Sequence, residues 1–223
     1  LRRVKQLGVM GVSIAHLDTG GLETWTDENL KRHIDRVAEA DLELRNVMFD
    51  PGERIIFGKD GRDEDIETII KAIQVAGRQG LPVMEYNFYA HRIVEGYKVV
   101  PGRGGSGLMD FNNDRIKDLP PLQGKTAISI DDLWENVTYY LKAVIPAAEA
   151  ANVRLALHPN DPPAPISRGS GQIMGSVEGW KRLVDIVPSP YNGITFDCGV
   201  TRELGHDPVE TCRDFGERDQ NNH

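Results

Sequence analysis

Short apolar segments alternate with longer amphipathic segments along most of the chain, and this alternation limits the folds that the chain can adopt. The apolar segments predict five strands, and a helix is predicted after each of them. Repeated strand–helix units produce parallel strands covered by helices, because each connection must cross over before the next strand begins. The predicted strands are residues 11–15, 42–49, 82–88, 153–158 and 192–197. A helix fragment is predicted before them, in residues 1–7.

Capping residues and apolar residues at helical spacing define the predicted helices. Thr26 is a favourable N-cap for the first helix, and Gly80 ends the second. Either Ser129 or Asp131 begins the third helix, which presents an apolar face as far as Ala151. The predicted helices are residues 26–40, 63–79, 129–151, 176–187 and 208–215.

Two α/β folds contain such repeats: an open doubly wound sheet and a closed (β/α)8 TIM barrel. The dinucleotide-binding form of the open sheet requires a glycine-rich turn after its first strand, and no such turn follows Ala15 or Phe49. Polar residues instead follow nearly every predicted strand, at the end where a barrel has its active site. They are His16, Asp18, Asp50, Asn87, His158, Asp161 and Asp197. The sequence therefore favours the barrel.

The number of strand–helix units is too small for a complete barrel. A TIM barrel has eight units in about 250 residues, whereas five units are predicted in these 223 residues. The chain also begins with Leu1 rather than methionine. We therefore expect residues 1–223 to be a single partial TIM-barrel domain from a longer protein, without the first strand and the last two strands.

Residues 89–129 interrupt the alternation and are predicted to form a long loop without regular elements. The glycine-rich part of this segment, residues 102–107, does not match a phosphate-binding loop. It lacks the lysine and Ser/Thr that end such a loop, and it begins no helix. A mobile lid or insertion and a plain flexible loop are both open interpretations.

Charge and composition disfavour several classes of protein. The formal net charge is −8, from 34 acidic and 26 basic residues, which disfavours a nucleic-acid partner because phosphates require a basic surface. No apolar run reaches about 18 residues, so no membrane-spanning helix is expected. The two cysteines, Cys198 and Cys212, predict reduced thiols. These features suit a cytoplasmic enzyme that acts on a small molecule, without a nucleic-acid or membrane partner.

His158 is the strongest single candidate for a functional residue. It ends an apolar predicted strand, and the proline-rich segment of residues 159–163 follows it. A histidine at this position points into the mouth of a barrel, where a stiff loop keeps the imidazole oriented as a metal ligand requires. The alternative is a strand-end histidine that only forms a hydrogen bond to a neighbour.

The end of the fifth predicted strand offers a second metal ligand. Asp197 provides a hard oxygen donor and Cys198 a soft thiolate, and either of them is a candidate ligand. Successive residues of a strand face opposite ways, so only one of the two is expected to reach the centre. A helix or loop cap is the alternative for Asp197, and a small buried apolar side chain is the alternative for Cys198.

Residues after the third and fourth predicted strands are candidates for substrate binding. Asn87 ends the third strand and is suited to bind a substrate hydroxyl. His91 and Arg92 follow it, and Arg92 is suited to hold a carboxylate through two hydrogen bonds. Arg103, in the glycine-rich segment, is a competing candidate for that carboxylate. Asn160 and Asp161, which adjoin His158, are two further candidates.

Four segments of the chain resemble a known family. They are residues 85–88 (Glu-Tyr-Asn-Phe), 158–163 (His-Pro-Asn-Asp-Pro-Pro), 172–176 (Gln-Ile-Met-Gly-Ser) and 193–196 (Gly-Ile-Thr-Phe). Together they resemble the mannonate dehydratases, and the similarity extends over nearly the whole chain. The resemblance implies a xylose-isomerase-like (β/α)8 barrel that uses a divalent metal, usually manganese or iron. It also implies dehydration of D-mannonate to 2-keto-3-deoxy-D-gluconate in hexuronate (glucuronate) catabolism.

The resemblance further implies a metal site with four ligands, of which this sequence matches a part. The family uses the histidine of the proline-rich segment, a cysteine after the sixth strand, a histidine after the seventh strand and an aspartate near the eighth. His158 matches the first ligand, but the family's Thr-Phe-Cys aligns with residues 195–197, so that Asp197 replaces the cysteine and Cys198 follows one position late. Asn160 stands where the family more often has aspartate. The last two ligands are expected after His223, and no general base is assigned.

These departures keep three functions open. The first is a sugar-acid dehydratase. The second is a sugar isomerase or epimerase on the same barrel, because such barrels often place an aspartate where this chain has Asp197. The third is a non-catalytic fragment or binding protein. Assembly into a homo-oligomer is open for all three.

Overall fold

The computed structural model describes residues 1–18, 21–92 and 95–221. The strands in these residues are β1 (Gly11–Ile14), β2 (Glu43–Phe49), β3 (Val83–Tyr86), β4 (Tyr97–Pro101), β5 (Gly107–Phe111), β6 (Arg154–Leu157), β7 (Ile166–Ser167), β8 (Ser170–Gly171) and β9 (Asn192–Ile194). The helices are α1 (Arg2–Gln6), α2 (Asp27–Ala38), α3 (Glu53–Ile56), α4 (Arg62–Arg78), α5 (Ile130–Ala151), α6 (Val177–Ile186), α7 (Cys198–Glu203) and α8 (Pro208–Asn221). Short 3₁₀ turns lie at Leu22–Thr24, Arg103–Gly105 and Asn113–Arg115.

Five strands form one parallel sheet in the order β1-β2-β3-β6-β9, which confirms the predicted strand–helix repeats. Each of the four neighbouring pairs is parallel, and the strands follow one another in chain order. The carboxyl ends of all five strands therefore lie along one edge of the sheet, where the polar residues that follow them come together.

The core lies between this sheet and the helices that cover it. The apolar faces of α2, α4, α5 and α6 contribute its helical side, including Leu30, Ile69, Ile73, Val137, Leu141 and Trp180. The rings of Phe49, Tyr86 and Tyr140 join the sheet to α5, with centroids 5.5 and 5.6 Å apart. The helix starts agree with the sequence, since Thr26 and Ser129 cap α2 and α5 through their side chains. In the described residues, no helix combines the length and the hydropathy needed to cross a membrane.

The prediction that residues 89–129 lack regular elements is wrong. Strands β4 and β5 form an antiparallel hairpin in this segment, with Tyr97 opposite Phe111 and Val99 opposite Met109. The glycine-rich stretch is the connection of the hairpin, and Gly104 and Gly105 adopt positive φ angles there. Because both strands are largely exposed, they lack the alternating burial pattern that marks a strand in the sequence.

The fifth strand of the parallel sheet ends three residues earlier than the sequence predicts. Strand β9 stops at Ile194, and the short helix α7 begins at Cys198. Asp197 is therefore the N-cap of a helix rather than a strand residue. The expectation that alternation along a strand selects between Asp197 and Cys198 is wrong, because neither residue belongs to the strand.

Candidate functional site

The candidate site lies at the carboxyl edge of the parallel sheet, between the ends of β3, β6 and β9. The backbone N–H of His158 donates to the carbonyl of Tyr86 at 2.9 Å, and that of Thr195 donates to the carbonyl of Leu157 at 3.0 Å. These two bonds extend the pairing of the strands beyond their ends. They place His158 beside the end of β3 on one side and beside the segment that leads to Asp197 on the other.

The His158 imidazole is oriented by its own loop. Its Nδ1–H donates to the carbonyl oxygen of Pro159 at 2.7 Å. Because a carbonyl can only accept, Nδ1 carries the proton and Nε2 is directed into the site. Nε2 lies 3.8 Å from Asp197 Oδ2 and 4.0 Å from Glu85 Oε1. The imidazole thus faces two carboxylates without forming a hydrogen bond to either of them.

Asp197 both caps a helix and faces His158, although the sequence offers these two roles as alternatives. Its Oδ1 accepts from the backbone N–H of Val200 at 2.9 Å and caps helix α7. The cap fixes the carboxylate, so that Oδ2 remains directed at His158. Cys198, by contrast, is an exposed free thiol at the first position of the helix. The contact to His158 in the structure therefore comes from Asp197, and Cys198 is not the small buried side chain that was its alternative.

Glu85 is a residue of the site to which the sequence analysis assigns no role. It lies in β3 and is almost completely buried, and Asn46 Nδ2 of the neighbouring strand donates to its Oε2. The signal for Glu85 was present in the sequence, because a carboxylate inside an apolar strand is rarely buried without a partner. The partner depends on the register of β2, β3 and β6, which the sequence alone does not provide.

His158, Asp197 and Glu85 carry donor types that divalent metal sites use. No closed group of three or more His, Cys, Asp or Glu side chains arranged to hold a metal is present in the described part of the chain. The chemistry of the donors nevertheless suits a divalent cation, because an imidazole nitrogen faces two carboxylates at 3.8 and 4.0 Å without a hydrogen bond to either.

A cavity of about 500 Å³ brings together three of the predicted substrate-binding residues. Asn87, His91 and Arg92 line it, with His16, Asp50 and Lys125 among the other wall residues. His91 Nε2 lies 3.2 Å from Glu95, whereas Arg92 is exposed and has no ion pair among the described residues. Arg103 belongs to the hairpin connection and is not part of the wall. Arg92 therefore lines the cavity and Arg103 does not, whereas a carboxylate contact of either residue stays a prediction.

Asn160 and Asp161 have different surroundings although they are adjacent. Asn160 is 3% exposed, and its Oδ1 accepts from the backbone N–H of Met174 at 2.8 Å. This bond anchors the proline-rich segment, so that a substrate contact of Asn160 stays a prediction beside its structural role. Asp161 is exposed, and its Oδ1 accepts from the Tyr97 hydroxyl at 3.0 Å. The hairpin is thereby connected to the loop that carries His158.

A group of acidic side chains shifts the pKa values at the rim of the site. Partial burial raises the pKa of the Glu203 carboxyl, and the negative charges of Asp161 and Asp197 raise it further. Burial also raises the pKa of the Tyr97 hydroxyl to about 12, with Asp161 as the next contribution. The Tyr97 hydroxyl therefore stays protonated at neutral pH and remains a donor to Asp161. Negative charge accumulates at this side of the site, where a cation would be stabilised.

The raised pKa of Glu203 predicts a pH-dependent gain in stability for Glu203→Gln. A carboxyl whose pKa is higher in the folded state loses stability as the pH rises through that range, because folding then opposes ionisation. The glutamine variant should melt about one to three degrees above the wild type at pH 7. Below pH 4, where the carboxyl is largely protonated in both states, the gain should vanish. Thermal unfolding followed by circular dichroism checks this, and a lower midpoint for the variant at pH 7 would contradict it.

Comparisons with known proteins identify the relatives of this chain. The family model described as "D-mannonate dehydratase (UxuA)" matches residues 1–125 and 110–223. A mannonate dehydratase from Thermotoga maritima is 32% identical over 97% of this chain and 69% of its own length. The crystal structure of the mannonate dehydratase from Streptococcus suis serotype 2 superposes with a TM-score of 0.87 at 28% identity, over 98% of this chain.

A solved structure with lower sequence identity supports the fold only. A xylose isomerase domain protein from Planctomyces limnophilus superposes with a TM-score of 0.51 at 12% identity, over 96% of this chain and 64% of its own. The open five-stranded sheet is thus the incomplete form of a xylose-isomerase-like TIM barrel, as the sequence predicts. The chain spans 66% of the Streptococcus suis protein. The matches of the family model and of these relatives show that the chain belongs to the D-mannonate dehydratase family.

Proposed function

We propose that this protein dehydrates D-mannonate to 2-keto-3-deoxy-D-gluconate, with a divalent cation at His158 and Asp197. The observation that carries the proposal is the arrangement of His158 Nε2 and Asp197 Oδ2, 3.8 Å apart at the carboxyl edge of the sheet. Membership of the D-mannonate dehydratase family supports the reaction. The whole activity is a proposal for the protein that contains this chain, which covers about two thirds of the Streptococcus suis enzyme.

The proposed cation is Mn²⁺ or Fe²⁺, and His158 and Asp197 would hold it. When bound, such an ion acts as a Lewis acid toward the substrate carboxylate and a neighbouring hydroxyl, and so increases the acidity of the C2 proton. The chain itself orients the two donors before any ion is present. Pro159 fixes the His158 ring through Nδ1, and helix α7 fixes Asp197 through its cap. Such outer contacts are what hold metal ligands in one orientation.

The cavity at the ends of β1, β2 and β3, whose wall does not include His158 or Asp197, supports a sugar acid as the substrate. Arg92 is suited to bind a carboxylate through two parallel hydrogen bonds, and Asn87 is suited to bind a hydroxyl. His16 and Lys125 add further donors to the wall. A cavity of about 500 Å³ falls in the range of small-molecule sites, and Arg92 in its wall complements a sugar carboxylate better than a neutral sugar.

The carboxylate of Asp197 supports a second candidate function, that of a sugar isomerase or epimerase on the same barrel. The residue that faces His158 is a carboxylate rather than the cysteine that the resemblance implies. Such an enzyme acts on neutral sugars and needs no carboxylate-binding arginine. Arg92 in the cavity wall therefore favours the dehydratase, and the two functions differ in their substrates.

A substrate panel distinguishes the two functions. The full-length protein is incubated with Mn²⁺ and with D-mannonate, D-gluconate, D-fructose or D-tagatose, and products are identified by mass spectrometry. The proposal predicts loss of one water from D-mannonate and no turnover of the neutral ketoses. Epimerised ketose without a dehydrated acid would establish the alternative function instead.

Arg92→Ala is expected to weaken substrate binding more than it slows turnover. Loss of a paired arginine–carboxylate contact costs about 2–3 kcal/mol, which corresponds to a KM for D-mannonate raised by about 30- to 140-fold. Arg103→Ala is the matched control, because this arginine lies on the hairpin connection and outside the cavity wall. Steady-state kinetics on both variants checks the prediction. An unchanged KM in Arg92→Ala, or an equal rise in both variants, would show that Arg92 does not bind the carboxylate.

Other features of the function stay predictions from the sequence. The charge and the reduced cysteines favour a cytoplasmic location and a small-molecule substrate. Participation in hexuronate catabolism follows from the proposed reaction. The formation of a homo-oligomer is open.

A further inference from the structure

Three polar side chains form a connected group beside the cavity. The ring of His91 lines the cavity, whereas Glu95 and Arg168 do not belong to its wall. His91 Nε2 lies 3.2 and 3.3 Å from the two carboxyl oxygens of Glu95. Arg168 donates to Glu95 Oε1 through Nε at 2.9 Å and through Nη2 at 2.7 Å. The guanidinium of Arg168 therefore holds the carboxyl group that in turn holds the imidazole.

Arg168 comes from a distant part of the chain and has an unfavourable backbone conformation. It lies in the turn between β7 and β8, and its φ angle is 51°. A positive φ is uncommon for a residue other than glycine, and it persists where the surroundings hold the residue in place. Here the guanidinium donates to Glu95 and, through Nη1, to the carbonyl oxygen of Pro120 at 3.2 Å. These contacts join the segment after β6 to the segment after β3, and they fix Glu95 from outside the cavity.

The contact with Glu95 occupies one nitrogen of the His91 ring and leaves the other for a ligand. Nδ1 forms no hydrogen bond to the residues that the structure describes, and the ring lines the cavity. The side chains of His91, Glu95 and Arg168 are 19%, 28% and 21% exposed, so each is mostly enclosed by the protein. An imidazole nitrogen binds a hydroxyl group either as a donor or as an acceptor. Nδ1 is therefore suited to a hydroxyl group in either tautomer of the ring and in either protonation state of Glu95.

We propose that His91 binds a hydroxyl group of the substrate through Nδ1, and that Glu95 and Arg168 are positioning residues for this contact. The inference rests on the proposed function for the identity of the substrate, and it deepens that function by assigning a residue to the hydroxyl groups of the sugar acid. Arg92, the next residue in the wall, is the proposed partner of the carboxylate. The two neighbouring residues would then recognise different groups of the same molecule.

The inference predicts that removal of the Arg168 guanidinium weakens substrate binding and leaves the chemical step nearly unchanged. In Arg168→Met, the KM of the full-length protein for D-mannonate should rise about tenfold, with kcat within about threefold of the wild type. His91→Ala should raise the KM at least as much. Arg78→Met is the matched control, because Arg78 donates to Asp27 at 3.0 and 2.7 Å and lies outside the cavity wall. Its KM should stay within about twofold of the wild type.

A second variant separates positioning from stability. Arg168→Gly removes the same contacts but relieves the positive φ, which glycine adopts readily. Its KM should rise about as much as that of Arg168→Met, even where the two variants differ in melting temperature. A KM in both Arg168 variants that matches the KM of Arg78→Met would overturn the positioning role. An unchanged KM in His91→Ala would overturn the contact between His91 and the substrate.

The same kinetics separate this inference from the proposed function. If the wild type dehydrates D-mannonate and the Arg168 variants behave like Arg78→Met, only the inference is wrong. If the wild type instead turns over a ketose of the substrate panel, the proposed function is wrong. The KM values for that ketose then decide the inference, because ketoses also carry hydroxyl groups: a tenfold rise supports the role of His91, and an unchanged KM overturns it. If the wild type acts on no compound of the panel, both are wrong.

Discussion

Replacing His158 with alanine is expected to lower Mn²⁺-dependent turnover of D-mannonate by more than about 100-fold. The variant loses the imidazole that faces both Asp197 and Glu85, at 3.8 and 4.0 Å. The proposed cation then loses its nitrogen donor, so its affinity should fall together with the activity. The measurement is the initial rate of keto-deoxy acid formation by the full-length protein at saturating Mn²⁺.

His206→Ala is the matched control for this variant. His206 is an exposed histidine between α7 and α8. Its backbone N–H donates a hydrogen bond to the carbonyl oxygen of Thr201. Its removal should leave the rate within about twofold of the wild type, as is usual for exposed positions. Turnover by His158→Ala near the wild-type rate would remove His158 from the metal site, because a cation ligand cannot be lost without a large effect.

Trp180→Ala is expected to destabilise the fold by about 3–5 kcal/mol. The Trp180 side chain on α6 is fully buried, and its indole N–H donates to the carbonyl of Met174 at 2.8 Å. Alanine leaves a large cavity and an unpaired carbonyl. The backbone N–H of Met174 donates to Asn160, so the variant also loosens the proline-rich segment that follows His158. Stability and site geometry are coupled through this contact.

Urea unfolding followed by circular dichroism measures this loss. Val209→Ala, at an exposed position of α8, should change the free energy of unfolding by less than about 0.5 kcal/mol and serves as the control. Trp180→Phe retains most of the volume but loses the hydrogen bond, so its cost should lie between the two. A loss below about 1 kcal/mol in the free energy of unfolding of Trp180→Ala would contradict the full burial of the Trp180 side chain.

The parallel part of the fold was predictable because burial leaves a periodic signal in the sequence. Strands β2, β3 and β6 are apolar segments of the core, and helices α4 and α5 have one apolar face, so each was located within a few residues. The hairpin of β4 and β5 was missed because its strands are largely exposed and bounded by Pro101 and Gly107. Helix α7 was missed because the six residues after Asp197 are too few to show helical spacing.

The candidate site was predictable to the extent that it depends on the ends of strands. His158, Asn87 and Arg92 follow strands and therefore lie along one edge of the sheet, where Asn87 and Arg92 line one cavity. The choice between Asp197 and Cys198 depends on where β9 ends, and a shift of three residues changed the argument from strand alternation to helix capping. The contacts of Glu85 depend on the pairing between strands far apart in the chain, which no local pattern indicates.

A crystal of the full-length protein grown with Mn²⁺ tests the central claim most directly through its anomalous diffraction. The account predicts an anomalous peak between β6 and β9, about 2.0–2.2 Å from His158 Nε2 and from a carboxylate oxygen of Asp197. Both side chains already face this point in the structure, with the two atoms 3.8 Å apart. An anomalous peak within bonding distance of the Cys198 sulfur, or the absence of a peak beside His158, would contradict the account.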